Sequence, residues 1–412
     1  MITFRNNLAA HIPMKTLLLE HIHPRAVGAL VQASLQVTGS AGSLHEDELI
    51  AALQGVSVLG IRSRTSITRR VLENAPDLMA IGAYCIGTNH IDLEAASLRG
   101  VAVFNAPYSN TRSVAELVIA EIIVLVRRLL PKVMRAHEGA WDKSAENARE
   151  VRGKKLGIIG YGNIGSQVST LAEAMGMDVH YYDNVDKLTI GNATRVPTLQ
   201  ELLGLADILT IHVDGNPANA DLIGEAEFAA MKEGVILLNL SRGHVVNIDA
   251  LARHLRSGKV AGAAVDVFPH EPKDAAEPFR SPLQGIPNVL LTPHIGGSTE
   301  EAQENIADFV SSKLVDYLSS GNTFTSVNFP KVNVPRADVA HARRVLHVHQ
   351  NVPGVLSQIN GIFAKNNVNV LSQYLRTNEL IGYAVADVDK SHEETFFEDL
   401  RQVAHTIRVR IM

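Results

Sequence analysis

The sequence predicts an α/β protein in three pieces. A doubly wound parallel sheet is inserted into a smaller flavodoxin-like α/β unit, and a ferredoxin-like tail follows. Three observations carry this. Apolar strand-like runs alternate regularly with helical stretches from Lys154 to about Pro293. A shorter alternation of the same kind occupies residues 15–110. Residues 341–412 read in the order β-α-β-β-α-β. The expected division is 1–109 with 297–327 for the outer unit, 110–296 for the inserted one, 328–340 as linker and 341–412 as tail.

In chain order, Lys15–Leu19 and Val56–Ile61 are continuous apolar runs, expected as buried strands, with a helix over Asp47–Gln54 between them. Ser113-Val114-Ala115-Glu116 has capping-box spacing and is expected to open a long helix through Leu130. That helix is apolar on nearly all sides, so it is expected to be buried, with a subunit interface as one way to bury it. Within the inserted unit the strand candidates are Leu156–Ile159, Val179–Tyr182, Ile208–His212, Val235–Asn239, Ala263–Val267 and Val289–Thr292. The helix starting near Ser298 is expected to return to the first unit. Asn328–Pro335 reads as extended linker. The tail strands are expected at Arg344–His349, Asn369–Arg376, Gly382–Val388 and Thr406–Met412, with helices at Gly354–Asn366 and Glu393–Ala404.

Bulk properties narrow the function classes. The chain has 412 residues, 46% hydrophobic and 20% charged, and a formal net charge of −5, which argues against a general nucleic-acid binder. A single cysteine, Cys85, leaves no intramolecular disulfide and fits a reducing compartment. The segment Met1–Asn7 lacks the apolar core of a signal peptide. The longest apolar run, Leu117–Leu130, is broken by Glu121, Arg127 and Arg128, too short and too charged to span a bilayer. A soluble cytoplasmic protein is expected, without nucleic-acid, membrane or metal partners.

The strand at Leu156 runs into Gly160, Gly162 and Gly165, spaced G-x-G-x-x-G, and Asp183 follows at the end of the next strand. This is the Rossmann dinucleotide fingerprint: one glycine for the turn, one for approach of the pyrophosphate, one for close helix packing, and an acid for the ribose hydroxyls. The acid disfavours a 2′-phosphate, so NAD is expected over NADP. The alternative is a glycine-rich strand–helix turn with no ligand. Three further motifs lie past strand ends: Arg242 in Asn239-Leu240-Ser241-Arg242-Gly243, Glu271 in the loop Asp266–Pro272, and His294 in Thr292-Pro293-His294-Ile295-Gly296-Gly297. In a doubly wound sheet the carboxyl ends of strands face the ligand. A histidine that takes a proton, a glutamate that fixes its tautomer and an arginine that grips a carboxylate suit hydride transfer at a 2-hydroxy acid. With 17 histidines in the chain, each of these residues taken singly reads equally as an ordinary surface group.

Taken together, these motifs resemble the D-2-hydroxyacid dehydrogenase family, in particular its members that carry one C-terminal ACT domain. The likeness runs from Lys15 to Met412 and includes Gly60–Thr65 and Phe104–Glu116. It implies NAD-dependent oxidation of D-3-phosphoglycerate to 3-phosphohydroxypyruvate. Arg242, Glu271 and His294 would be the active-site residues. Gly160, Gly162, Asn163, Ile164, Gly165, Asp183, Leu240, Ser241, Arg242, Asp266, His294, Ile295, Gly296 and Gly297 would line the NAD site. Substrate would be held by Arg62, Ser63 and Arg64 and by backbone N–H groups of the loop around Cys85, Ile86 and Gly87. The alternative for the arginines is a solvated basic loop. One departure is Ala41, where the related pattern has a lysine beside the substrate. Lys143 is implied to supply charge from a neighbouring subunit and Trp141 to anchor an interface. In the ACT-like tail, His349, Asn351 and Asn369 are implied to contact L-serine across a pair of tails, with feedback inhibition, in a homo-tetramer; the alternative is a dimerisation module with no ligand. Two rival functions stay open: a dehydrogenase for another D-2-hydroxy acid such as 2-hydroxyglutarate, and an NAD-sensing corepressor-like binding protein.

Overall fold

A computed structural model describes residues 14–272, 277–335, 342–389 and 394–412. The segment Met1–Asn7 and residues 336–340 of the expected linker lie outside the described residues. The chain divides into two units, residues 1–107 with 304–412, and residues 108–303.

In the first unit, β1 (Lys15–Leu18), β2 (Gln36–Gly39), β3 (Val58–Ile61), β4 (Ala80–Ala83) and β5 (Ala102–Phe104) form a parallel sheet in the order β2-β1-β3-β4-β5, the flavodoxin-like arrangement. The strands are buried because both faces are covered. Val58 and Ala80 point into one core, and Leu59, Ile61, Ile81 and Ala83 into the other. The helix Glu300–Ser320 adds Ile306, Val310, Leu314 and Tyr317 to the first of these cores, as its expected return requires.

The second unit holds β6 (Lys155–Ile159), β7 (Asp178–Tyr182), β8 (Thr194–Arg195), β9 (Ile208–Ile211), β10 (Val235–Asn239), β11 (Val260–Val265) and β12 (Val289–Leu291). They form one parallel sheet in the order β12-β11-β10-β9-β6-β7-β8. The direction of winding reverses between β6 and β9, so a crevice opens beyond their carboxyl ends. Alternate residues of β10 serve opposite cores: Val235 and Leu237 on one face, Ile236 and Leu238 on the other.

Two expectations change here. The long helix starts earlier, at Thr111, and Ser113 forms no cap; its hydroxyl lies 2.8 Å from that of Thr299. The helix also stops at Val126. Arg128 takes a left-handed conformation (φ 50°), and a second helix, Leu129–His137, follows. The apolar periodicity crosses this break without a mark.

The tail contains β13 (Ala342–Gln350), β14 (Val370–Thr377), β15 (Ile381–Asp389) and β16 (Thr406–Ile411), antiparallel in the order β14-β15-β13-β16, with helices Val355–Lys365 and Glu394–Arg401. The supposed linker is packed rather than extended in solvent. Phe329, Val332 and Val334 are buried in one core with Leu314, Tyr317, Leu346, Tyr383 and Val385. The tail sheet therefore has two covered faces, the second closed by Ile359, Phe363, Phe396 and Phe397. Polar ties reinforce the first face. The fully buried Arg344 bridges Asp387 (Nε–Oδ1 2.7 Å) and donates to the carbonyls of Ser320 and Pro335, while Tyr383 donates to the carbonyl of Gly321. The bonds to Ser320 and Gly321 satisfy carbonyls at the end of helix Glu300–Ser320 that the helix cannot pair itself.

Candidate active site

The three glycines after β6 differ in what they touch. Gly160 has φ +92°, and a Cβ there would meet the His212 backbone at 2.8 Å. A Cβ on Gly165 would lie 2.3 Å from the Gly160 carbonyl oxygen. A Cβ on Gly162 would meet no atom within 4 Å. The fold therefore requires Gly160 and Gly165, whereas nothing within the described chain requires bare backbone at Gly162. A cavity of about 280 Å³ adjoins it, lined by Tyr161, Gly162, Asn163, Ser166, Lys187, Leu188 and Ile190. Helix Asn163–Ala174 begins here and turns its unpaired N–H groups toward this space. The residues thus fit a dinucleotide: bare backbone, a helix start for the pyrophosphate and an acid at the end of the second strand.

That acid has a task that the sequence did not reveal. The Asp183 carboxylate accepts the N–H of Tyr161 at 2.9 Å and that of Val185 at 2.9 Å. It ties the glycine loop to the end of β7, and each oxygen keeps a lone pair to offer a hydroxyl. Tyr161 is locked in turn, stacked on Tyr181 and bonded to Ser169 and to the Ile190 carbonyl.

β10, β11 and β12 are sheet neighbours, and the segments after them carry Arg242, Glu271 and His294. His294 Nδ1 and Glu271 Oε2 are 2.8 Å apart, and the other Glu271 oxygen accepts the Phe268 N–H at 3.0 Å. The hydrogen bond to Glu271 raises the His294 pKa above its usual value. Burial opposes the rise, the charges of Glu271 and Asp266 add to it, and Arg242 subtracts. Burial pushes the Glu271 carboxyl up. The bonds from His294 and Phe268, with the positive charges of His294 and Arg242, outweigh that and hold it below the usual range. Arg242 therefore acts electrostatically on both partners. Its Nη1 donates to the Ser241 carbonyl at 2.7 Å, and its stem lies against Gly215.

The turn that presents His294 is built by Asp266. This carboxylate, 1% exposed, accepts from Thr292 Oγ1 (2.6 Å), Ile295 N–H (2.8 Å) and Gly296 N–H (2.8 Å). It holds the turn so that His294 adopts φ +55°, a conformation that a non-glycine residue takes only when its surroundings impose it. Asn239 does the same for the neighbouring loop, accepting from both the N–H and the hydroxyl of Ser241. Leu240 and Ser241 are buried, Ile295 is 41% exposed, and Gly297 makes room for Asn110, whose Nδ2 would be 2.2 Å from a Cβ. Asn163 is exposed, and Ile164 is half-buried.

The expected substrate residues lie in the first unit, past the carboxyl ends of β3 and β4. Glu20, unmarked by any motif, accepts the N–H groups of Arg64 (3.0 Å) and Thr65 (2.8 Å) and so shapes the loop Arg62–Arg64. Ser63 and Arg64 are exposed and Arg62 half-buried. Cys85 Sγ donates to the carbonyls of Arg62 (3.3 Å) and Gly87 (3.1 Å), and Ile86 O accepts from Asn105. In the tail, His349 is buried with Nδ1 2.8 Å from Gln350 O and with Nε2 lacking a partner. Asn351 Nδ2 donates to Asn378 O, and the Asn369 N–H donates to Asp389. Among the described residues no cluster of three His, Cys, Asp or Glu side chains is placed to hold a metal ion, and no helix is long and apolar enough to cross a membrane.

Comparison with known proteins agrees with this geometry. Residues 119–296 match the family model "D-isomer specific 2-hydroxyacid dehydrogenase, NAD binding domain", and residues 345–408 match an "AHAS small subunit-like ACT domain". The chain is 48% identical over 400 residues to the D-3-phosphoglycerate dehydrogenase of Haemophilus influenzae and 46% identical over 402 residues to that of Escherichia coli K12; in both cases 97% of each chain is covered. Among solved structures, D-lactate dehydrogenase from Aquifex aeolicus, complexed with NAD and lactic acid, superposes with a TM-score of 0.67 at 28% identity, covering 77% of this chain and all of that one. The chain belongs to the D-isomer specific 2-hydroxyacid dehydrogenase family.

Proposed function

We propose that this chain, as a member of that family, oxidises D-3-phosphoglycerate to 3-phosphohydroxypyruvate with NAD. The observation that carries the reading is the 2.8 Å pairing of His294 Nδ1 with Glu271. It commits one ring nitrogen to the acid and leaves Nε2 to exchange a proton with the substrate. In oxidation, neutral His294 takes the proton of the C2 hydroxyl. In the reverse direction the imidazolium returns it to the keto oxygen. Glu271 fixes the tautomer and stabilises the charged ring. Arg242 grips the carboxylate beside C2 and favours negative charge building on the adjacent oxygen. When bound along Gly160–Gly165 and Asp183, NAD supplies the acceptor for the hydride that leaves C2.

In this reading residues 110–296 serve the cofactor and residues 1–109 with 297–327 serve the substrate. Arg62, Ser63 and Arg64 take the phosphate, and backbone N–H groups of Cys85–Gly87 take the carboxylate. Ala41 places no charge beside that phosphate. The tail is assigned to regulation. L-serine would be held by His349, Asn351 and Asn369 where two tails meet. The unpaired Nε2 of His349 and the edge strand β14, which exposes Val370, Leu371, Tyr374 and Leu375, support this. Trp141, 82% exposed beside Lys143, and the exposed Val133 and Met134 support a second contact between copies and hence a homo-tetramer. The lone cysteine supports a cytoplasmic location.

Steady-state assays with NAD and a panel of D-2-hydroxy acids, with and without L-serine, test the reading. The expected result is a preference for the phosphorylated three-carbon acid and a rate lowered by serine. A preference for 2-hydroxyglutarate would transfer the assignment to the other dehydrogenase. Binding of NADH without turnover of any acid would favour the corepressor-like reading.

A further inference from the structure

Behind the His294 turn lies an acid that the mechanism above does not use. Glu121 sits in the body of helix Thr111–Val126 and is 4% exposed. Both of its carboxyl oxygens are buried, and neither has a hydrogen-bond partner. A carboxylate left unpaired in such a place is strongly disfavoured, and an orphaned polar group in a native core calls for a reason. The helix packs against helix Asn163–Ala174 and against β10 and β11, which give Val168, Ala172, Ile236, Leu238 and Ala264 to the shared core. The following helix, Leu129–His137, also abuts it. There Lys132 and Arg135 are engaged with Ser144 and Asp142, and His137 is exposed. Among the described residues, the charge of Asp266, just past the end of β11, acts on Glu121 through the core. The same helix reaches the His294 turn, since a Cβ on Gly296 would lie 3.4 Å from Val114 and 3.0 Å from Asp266 Oδ2.

We propose that Glu121 is a positioning residue that works as a neutral carboxylic acid, so that no second negative charge joins Asp266 in the core behind the His294 turn. Burial, then the charge of Asp266, pushes the Glu121 pKa up to about 8, so the proton is in place at neutral pH. Asp266 both builds the turn and favours the imidazolium form of His294. Ionisation of Glu121 adds a second negative charge on the same side. That charge favours the imidazolium, so the end of the His294 titration is drawn to higher pH: the neutral base that oxidation needs fills in more slowly, and the imidazolium that reduction needs persists further into the alkaline range. The inference rests on His294 as the acid–base group.

Infrared difference spectra of the full-length protein between neutral and alkaline pH, together with kcat/KM–pH profiles in both directions, test it on wild type, E121Q and E121M. The expected results are a protonated-carboxyl band that disappears on alkalinisation and is missing from both variants, and an oxidative rise and a reductive fall that are complete at lower pH in both variants than in wild type. Selective 13C labelling of glutamate assigns the band to a glutamate in the wild type even if a variant does not fold. The proposal is overturned if no such band exists in wild type, or if the variants' profiles superimpose on its own, as a purely structural role would give. An active H294A variant with the band intact would instead remove the proton-transfer assignment, so the two failures are distinguishable.

Discussion

Two alanine substitutions within one glycine motif should fail in opposite ways. Gly162 has φ −88° and ψ −152°, a conformation open to alanine, and its Cβ would touch nothing in the chain. Gly162→Ala should therefore change stability by no more than about 1 kcal/mol, the scale of an N-cap replacement. The methyl instead occupies the approach of the pyrophosphate. Losing one charge-assisted backbone hydrogen bond there costs about 1.5–3 kcal/mol, which at 1.4 kcal/mol per decade is roughly 10- to 100-fold in NADH affinity. Gly165→Ala meets the Gly160 carbonyl at 2.3 Å and Ile158 Cγ2 at 3.1 Å. A backbone oxygen cannot step aside cheaply, so overpacking of about 3 kcal/mol or more is expected. For a unit of this size that is a drop in Tm of about 6–12 °C. Scanning calorimetry and NADH fluorescence titration separate the two. A Gly162→Ala protein that binds NADH like wild type, or a Gly165→Ala protein that melts like it, would refute the division of labour between these glycines.

Replacing His294 by alanine should lower turnover by about 10²–10⁴-fold with NADH binding retained; a rate within tenfold of wild type would remove the histidine from the chemistry. Because Glu271 raises the His294 pKa, the neutral base needed for oxidation is populated only above the usual histidine value. The acidic limb of the oxidative kcat/KM profile should therefore lie above pH 6.5 and move to lower pH in Glu271→Gln. The reductive profile, which needs the imidazolium, should lose its alkaline reach in the same variant, and an unmoved limb would sever the pair. In the tail, Arg344→Ala leaves the half-buried Asp387 with Ser372 as its remaining side-chain donor and unpairs the Ser320 carbonyl, and unfolding in urea should show a loss of about 2–4 kcal/mol. A loss below 1 kcal/mol would mean that the packed tail does not depend on this bridge.

Much of the architecture was legible because burial on both faces writes itself as continuous apolar runs. Leu156–Ile159, Val235–Asn239 and the strand at Val58 each carry it. The two-residue β8 was not legible, because Thr194 and Arg195 are exposed and make no run. Nor was the break at Arg128, since local sequence does not show which residue is forced into a left-handed turn between two helices. The segment after Asn328 has the look of a tether. It became core because Phe329, Val332 and Val334 had a second sheet to meet, a contact made across a wide separation in the chain.

The motif residues themselves, Gly160 to Gly165, Asp183, Arg242, Glu271 and His294, stand out in the sequence because the proposed chemistry calls for particular side chains just past particular strands. What only the tertiary structure decided is how they are supported. Sheet order sets β10, β11 and β12 side by side. Asp266 holds the histidine turn, Asp183 fastens the glycine loop, Glu20 shapes the arginine loop, and Glu121 lies buried behind. A supporting residue is chosen by distance and dielectric in the folded chain, and neither is written in the order of the amino acids.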